Sequence, residues 1–219
     1  MALEITPPRL EPVELPPLTR ADTYDLDEGP RFDALDVSGL DFDTRDLTDS
    51  SFTECDLSRT HLGEATLTGV TLTDCRADAV AAASLNAPSS RWRRCEITRS
   101  RIGAAELHSG EWSESVVTGS KFGYLNLRGT RLTDVVFEDC VVDDLDLMDA
   151  ELVRGAFRGC TVQTLTVRRA RMTHVDLRGL DFAGLDDVEG MRGAAISAQQ
   201  LIDVAPLLAA HQGILVDET

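Results

Sequence analysis

Five cysteines (Cys55, Cys75, Cys95, Cys140, Cys160) and four histidines (His61, His108, His174, His211) are the side chains of this sequence best suited to metal or nucleophilic chemistry. Their spacing does not serve it. No Cys-x-x-Cys and no Cys/His cluster sets ligands at metal-binding intervals, and no two histidines lie at helical or metal-ligand spacing. Ser and Thr are abundant but have no partnered base. Glycine-containing turns such as Leu127-Arg128-Gly129 lack the pattern of a phosphate loop. The adjacent acids Asp143 and Asp144 read as solvated side chains, not as a general acid–base pair. The expectation is a protein that is not an enzyme, with no catalytic residue, no cofactor and no metal.

What the cysteines do have is a rhythm, with intervals of 20, 20, 45 and 20 residues. Each lies two residues before a member of a longer apolar row. That row takes every fifth position from Val37 to Phe182, thirty in one phase, through Phe42, Leu47, Phe52 and Leu57 to Met172 and Leu177. All seven Phe (Phe32 one step upstream) and both Trp fall on it. A period of five fits neither a helix nor a flat strand. It fits a solenoid whose short units each bury one side chain and stack on their neighbours. The row two positions earlier, from Leu40, Ser50 and Cys55 to Val175 and Leu180, is small or apolar except at Arg45. Two positions per unit face in and three face out.

Intervals of 20 imply four units per turn, which would stack Cys55, Cys75 and Cys95 on one face. Thiols so stacked stand about 4.8 Å apart, too far for a disulfide. They read as small buried hydrophobes in a reducing compartment. Outward residues 20 apart become neighbours, and charges should pair there. Arg91, Glu111, Arg131, Glu151 and Arg171 alternate in sign over five coils; Asp74, Arg94, Glu114, Asp134 and Arg154 alternate except at one step. Glu138–Arg158 and Asp149–Arg169 extend the pattern. In the core, one coil would hold Ala77, Ala82, Ala87 and Trp92, a large ring compensating three small side chains. Trp112 would lie over Trp92.

The chain divides into three parts: a Pro-rich segment 1–31, a repeat body 32–187, and a C-terminal helix and tail 188–219 that caps the body and offers a dimer contact. Pro7, Pro8, Pro12, Pro16, Pro17 and Pro30 keep the first part extended; it lies along the body, covers the first coil, or remains a free tail. Ser197-Ala198-Gln199-Gln200 resembles a capping box. It opens a helix whose Leu201, Ile202, Val204, Ala205 and Leu208 should cover the last coil around Phe182 and Leu185. Pro206 should kink or divide that helix, and Gly213 should end it. Ile214, Leu215 and Val216 offer an exposed strand for pairing across a two-fold axis.

The units resemble the pentapeptide-repeat family, whose motif is A(D/N)LXX with the Leu inward. The best matches are Cys55-Asp56-Leu57-Ser58-Arg59, Leu125-Asn126-Leu127-Arg128-Gly129, Leu145-Asp146-Leu147-Met148-Asp149 and Val175-Asp176-Leu177-Arg178-Gly179. The resemblance implies an all-β solenoid: a right-handed quadrilateral β-helix of about 7–8 coils, with a C-terminal capping α-helix. It also implies that some members mimic duplex DNA and bind DNA gyrase or topoisomerase IV, giving quinolone protection. The mycobacterial type dimerises through its C-terminal end, and Ala205 to Gly213 is similar to its closing helix.

The chain carries 38 Asp+Glu against 21 Lys+Arg, a net charge of −17. That balance favours solubility and basic partners and disfavours direct binding to nucleic acid or an anionic membrane. No signal peptide is visible in Met1-Ala2-Leu3-Glu4-Ile5, so a cytoplasmic location is expected. The charge is banded. Residues 134–151 hold eight acids and no base, and residues 152–178 hold six bases and one acid. The expected function is a rigid protein-interaction module, a homodimer through its C-terminal end; the alternative is a DNA-mimicking modulator of gyrase. The acidic surface would comprise Asp41, Asp43, Asp46, Asp49, Asp134, Asp139, Asp143, Asp144, Asp146 and Asp149. The cap and dimer contact would comprise Leu201, Ile202, Val204, Leu208, Ile214 and Val216.

Overall fold

The computed structural model describes residues 5–22, 24–27, 29–63 and 65–217. Two side chains in five point inward and the chain turns a corner every five residues, so four units close a coil. Side 1 buries Phe52, Trp92, Trp112 and Leu132; side 2 buries Leu57, Ile97, Val117 and Phe137. Side 3 buries Leu62, Ile102, Phe122 and Val142; side 4 buries Leu67, Ala87, Leu107 and Leu127. Sides 1 and 2 share a 13-stranded parallel sheet, because Glu111–Thr118 and Arg131–Glu138 run through their common corner. Side 3 is a six-stranded parallel sheet from Ala81–Asn86 to Leu180–Leu185. Side 4 is made of turns, closed by bonds such as Ala150 N–H to Leu147 O at 3.0 Å.

The register is 20 residues throughout the body: Trp92 stands over Trp112, then Leu132, Leu152 and Met172. On side 2 the ladder runs Arg20, Asp36, Asp56, Arg76, Glu96, Val116, Val136, Ala156, Asp176 and Ala195. Those ten rungs make about nine turns, roughly 43 Å at the spacing of paired strands. The turn count exceeds the expected 7–8 because both ends add a coil without pentads. Thr19–Arg20 pairs with Leu35–Asp36, and Ala194–Ala195 pairs with Val175–Asp176. Pairing therefore extends past the regular repeats at 32 and 187. Ala21 and Leu26 are buried beneath the first repeats and close that end.

Corners after sides 1, 2 and 4 place residues in the left-handed region, among them Arg94 (φ 49), Asp134 (φ 57), Arg154 (φ 51) and Gly129 (φ 62). For a non-glycine residue this costs about 1–2 kcal/mol, offset by the backbone ladder on either side. The second inward row completes that ladder. Ser100, Ser115 and Ser120 hydroxyls accept the N–H of Val80, Cys95 and Ser100 one coil away, at 3.0–3.1 Å. The five cysteines are buried and free. Cys75 and Cys140 donate to Phe52 O and Val117 O at 3.4 Å. Burial pushes the Cys95 thiol up to about 12.

Core packing departs from expectation at one place. The Trp92 ring stacks on Trp112 instead of spreading across its own coil. An internal cavity of about 70 Å³ remains, lined by Leu57, Leu72, Ala77, Ala87, Trp92 and Ile97 among others. Inward-facing Leu72 and Ala77, which line it, are only half-buried, as is Ala82. One ring does not compensate three alanines.

Candidate interaction surfaces

Three residues of every five face solvent, and their chemistry begins with the motif's Asp or Asn. Asp36, Asp41, Asp46, Asp56, Asn126, Asp146 and Asp176 each accept, at 2.8–3.1 Å, the N–H two residues on. This is the Asx turn that opens the next corner. Part of the acidity is therefore turn chemistry.

Ion pairs take up another part. Arg154 clamps Asp134 through two bonds of 2.6 Å, and Arg169 clamps Asp149 likewise. Arg94 grips Asp74 (Nη2–Oδ2 2.7 Å) and lies 3.9 Å from Glu114. The Arg94 guanidinium holds the Asp74 carboxyl below its usual range. At Asp134 burial works the other way, but Arg154 and the Arg9 N–H outweigh it, and the carboxyl stays low. Arg91, Glu111, Arg131, Glu151 and Arg171 do stand in line. Of these steps only Arg131–Glu151, at 3.1 Å, closes to an ion pair among the described residues. Glu138 and Arg158 are register partners that form none. Arg99 reaches Asp78, 21 residues back, at 2.6 Å, which a strict register of 20 does not foresee.

The ten candidate acids fall on different sides. Asp41, Asp43, Asp143 and Asp144 are on side 3, and Asp46, Asp49, Asp146 and Asp149 on side 4. Asp134 stands at the corner of sides 1 and 2, and Asp139 at the corner after side 2. Along side 3 the column from Asp41 reads His61, Ala81, Arg101, Lys121, Val141. Along side 4 it reads Asp46, Thr66, Asn86, Glu106, Asn126, Asp146. Two acidic groups stand five coils apart, about 24 Å; between them the two columns hold neutral and basic residues and one acid, Glu106. Asp143 and Asp144 are exposed, with no partner among the described residues.

Between Ile5 and Leu18 the Pro-rich segment lies along the body at the corner of sides 1 and 2. Thr6 N–H donates to His174 Nδ1 (3.4 Å), Arg9 N–H to Asp134 Oδ1 (2.9 Å) and Val13 N–H to Glu96 Oε1 (3.1 Å). Val13 O accepts from Arg76 Nη2 at 3.1 Å. Thr19 and Ala21 then bond to Ala34 O and Asp36 O, both at 3.0 Å. Of the alternatives open in the sequence, the segment takes two: it runs along the body and covers the first coil. A signal for this was present. The outward column of Arg76 and Glu96 continues as Val116, Val136 and Ala156, three apolar residues where the period demands polar ones. Val136 is 1% exposed and Ala156 3%.

At the other end, α1 spans Ala198–His211. The capping box forms, with Gln200 N–H on Ser197 Oγ (3.2 Å) and Ser197 N–H on Gln200 Oε1 (2.7 Å). Gln200 Nε2 also donates to Leu177 O and Leu180 O, at 2.7 and 2.6 Å, sealing carbonyls of the last repeat. Gln200 and Val204 are the buried residues of α1. Leu201, Ile202 and Leu208, expected against the last coil, face outward instead, because the Gln200 bonds fix which side of α1 docks. Pro206 lies inside the helix without dividing it. Gly213 (φ 72) ends it, with Ile214 N–H on Ala209 O (2.8 Å) and Gly213 N–H on Ala210 O (3.0 Å), a Schellman closure. Ile214, Leu215 and Val216 form no strand and are exposed, Leu215 by 97%.

Among the described residues no three His, Cys, Asp or Glu converge to hold a metal ion, and no helix is long and apolar enough to cross a membrane. No curated protein matches the chain in sequence. Among solved structures it is similar to full-length QnrB1, a plasmid-mediated fluoroquinolone resistance protein, at 18% identity, over 84% of this chain and 100% of that one (TM-score 0.38). It is also similar to HetL of the cyanobacterium Nostoc sp. strain PCC 7120, a pentapeptide repeat protein involved in heterocyst differentiation regulation. There the identity is 14%, over 79% of this chain and 94% of that one (TM-score 0.38). The family model for pentapeptide repeats (8 copies) matches residues 46–78. The inward row of that match runs on unbroken to both sides of it, from Val37 to Phe182.

Proposed function

We propose that the protein is a non-enzymatic, rigid interaction module whose partner is a protein. The observation that carries this is the unpaired apolar end of the rod. Leu201, Ile202, Leu207, Leu208, Ile214, Leu215 and Val216 stand exposed together on α1 and its tail. Large apolar side chains left exposed in this number on one short stretch of chain mark a protein contact. A second copy is the simplest occupant, giving a homodimer through the C-terminal end, in a cytoplasm that keeps the five thiols reduced. Light scattering of the purified chain tests this. A mass of twice 23.8 kDa that falls to the monomer in Ile202→Glu supports the contact, and a monomeric wild type removes it.

The second reading is a DNA-mimicking modulator of DNA gyrase or topoisomerase IV that confers quinolone protection. The net charge of −17 and the rod shape favour it, as do the exposed acids Asp143, Asp144 and Asp139. The five-coil interval between the two acidic groups counts against a continuous stripe. A supercoiling assay with purified gyrase, with and without quinolone, decides it; no effect at micromolar protein removes the reading.

A further inference from the structure

The segment from Thr6 to Val13 is held by its main chain. Its three N–H bonds go to His174, Asp134 and Glu96, and its carbonyl bond comes from Arg76. Strands of the coil run across the corner and use their own backbone in the ladder, so side chains at the corner supply the acceptors and the donor. The bonded residues Thr6, Arg9 and Val13 alternate with Pro7, Pro8 and Pro12, which have no N–H to satisfy. The eight residues from Thr6 to Val13, seven steps, cross the four coils between His174 and Glu96. In polyproline II form they span about 22 Å, against roughly 19 Å for four coils. An extended segment of this length is what the crossing needs.

Beneath it lies an apolar floor, Val116, Val136 and Ala156, and Val13 is itself 5% exposed. The floor is not needed for coil stacking, since every inward row is filled without it. Nor does the segment's departure orphan a charge. Asp134 keeps its two bonds to Arg154, and Glu96 keeps Arg76 at 3.5 Å. Asp134 and Glu96 therefore have partners on the body whether or not the segment is in place.

We propose that this corner is a docking groove for an extended protein segment of the pattern Arg-x-x-Pro-Val. Residues 9–13 of the chain itself occupy it in cis, and a partner carrying such a segment binds by displacing them. This deepens the interaction-module reading by naming a surface and the chemistry of what it holds. Backbone-directed bonds set the extended form, the floor selects the valine, and the Asp134 carboxylate favours a basic residue beside its bond. Prolines lower the ordering cost of either occupant. The tethered copy acts at an effective concentration of order millimolar, so only a close mimic displaces it.

The test uses the full chain with a specific protease site placed between Pro17 and Leu18, cut after folding, with tryptophan fluorescence confirming that the body stays folded. A fluorescent synthetic peptide of residues 5–17 is titrated in and followed by anisotropy. The groove predicts saturable exchange into the cut protein and at least tenfold weaker binding to the uncut one. Binding should weaken at least tenfold with Val13→Asp in the peptide or Glu96→Gln and Asp134→Asn in the body. No exchange, or equal binding of a scrambled peptide, overturns the proposal and leaves the module reading to its other surfaces. Native-state hydrogen exchange on the uncut chain gives a second readout. Amides of Thr6, Arg9 and Val13 opening faster than the coil amides support it; opening only with the coils overturns it.

Discussion

Trp92 lies face to face with Trp112 one coil away, ring centroids 4.1 Å apart and planes 10° apart. The pair continues through Phe137 (6.4 Å from Trp112) to Phe157 (5.0 Å further). Trp92 stacks along the axis, and beside it a cavity remains that Ala77 and Ala87 line. The weak point of the core lies where its inward residues are smallest.

Filling that space should stabilise the fold. Ala77→Leu, at a residue that lines the cavity, is expected to raise stability by up to about 1.5 kcal/mol, at roughly 24 cal/mol per Å³ of cavity recovered. Trp92→Ala should lower it by about 3–5 kcal/mol. Urea midpoints check both, and a destabilised Ala77→Leu would show that the cavity is not available.

Asp134 and Asp149 are clamped by arginines with the same geometry but differ in setting. Asp134 is nearly buried and also holds the Arg9 N–H; the Asp149–Arg169 pair is exposed. Asp134→Ala should cost about 2 kcal/mol, the range of hydrogen bonds to a charged group. Asp149→Ala should have little effect, as exposed pairs generally do. Equal effects in denaturation would contradict the assignment of Asp134 as the anchor of the N-terminal segment.

The pH dependence has a definite sign. Arginine partners, Arg94, Arg154 and Arg169, hold Asp74, Asp134 and Asp149 below the ordinary value of 3.8. A carboxyl lowered in the folded state contributes stability that is complete above its unfolded value and lost as pH falls through its folded one. These groups therefore leave the urea midpoint flat between about pH 5 and 8 and reduce it below about pH 4. Asp134→Ala should shrink the acid loss, and an unchanged profile would count against the clamp.

How far the sequence carried depends on which residues repeat. The inward row and the cysteine intervals gave the coil of twenty, because a buried side chain in a narrow coil admits few residue types. The Ser197–Gln200 capping box was equally legible, being a local pattern. The docked face of α1 was not, because Gln200 reaching Leu177 O and Leu180 O is a long-range event with no local mark. The same holds for the coil at Ala194–Ala195, which pairs without a pentad. The groove was marked by Val116, Val136 and Ala156, but an outward apolar column has meaning only once something is seen to cover it.

Gln200→Ala should loosen the C-terminal end alone. It removes two bonds to the last repeat and half of the capping box, about 2 kcal/mol at typical net bond values. Hydrogen exchange should quicken in α1 and around Leu177–Leu180 while the amides of Trp112–Val136 stay protected. Uniform loosening along the rod would mean that the cap governs the whole solenoid.

The central claim is that this rod works through protein contacts on its outer surface. Crosslinking in the native host, with the wild type beside Ile202→Glu and Glu96→Gln/Asp134→Asn variants, tests it most directly. The account predicts a defined protein partner, a second copy included, whose capture drops at least tenfold in one of the variants. A wild type that crosslinks to nothing, or a captured set identical in all three, would contradict it.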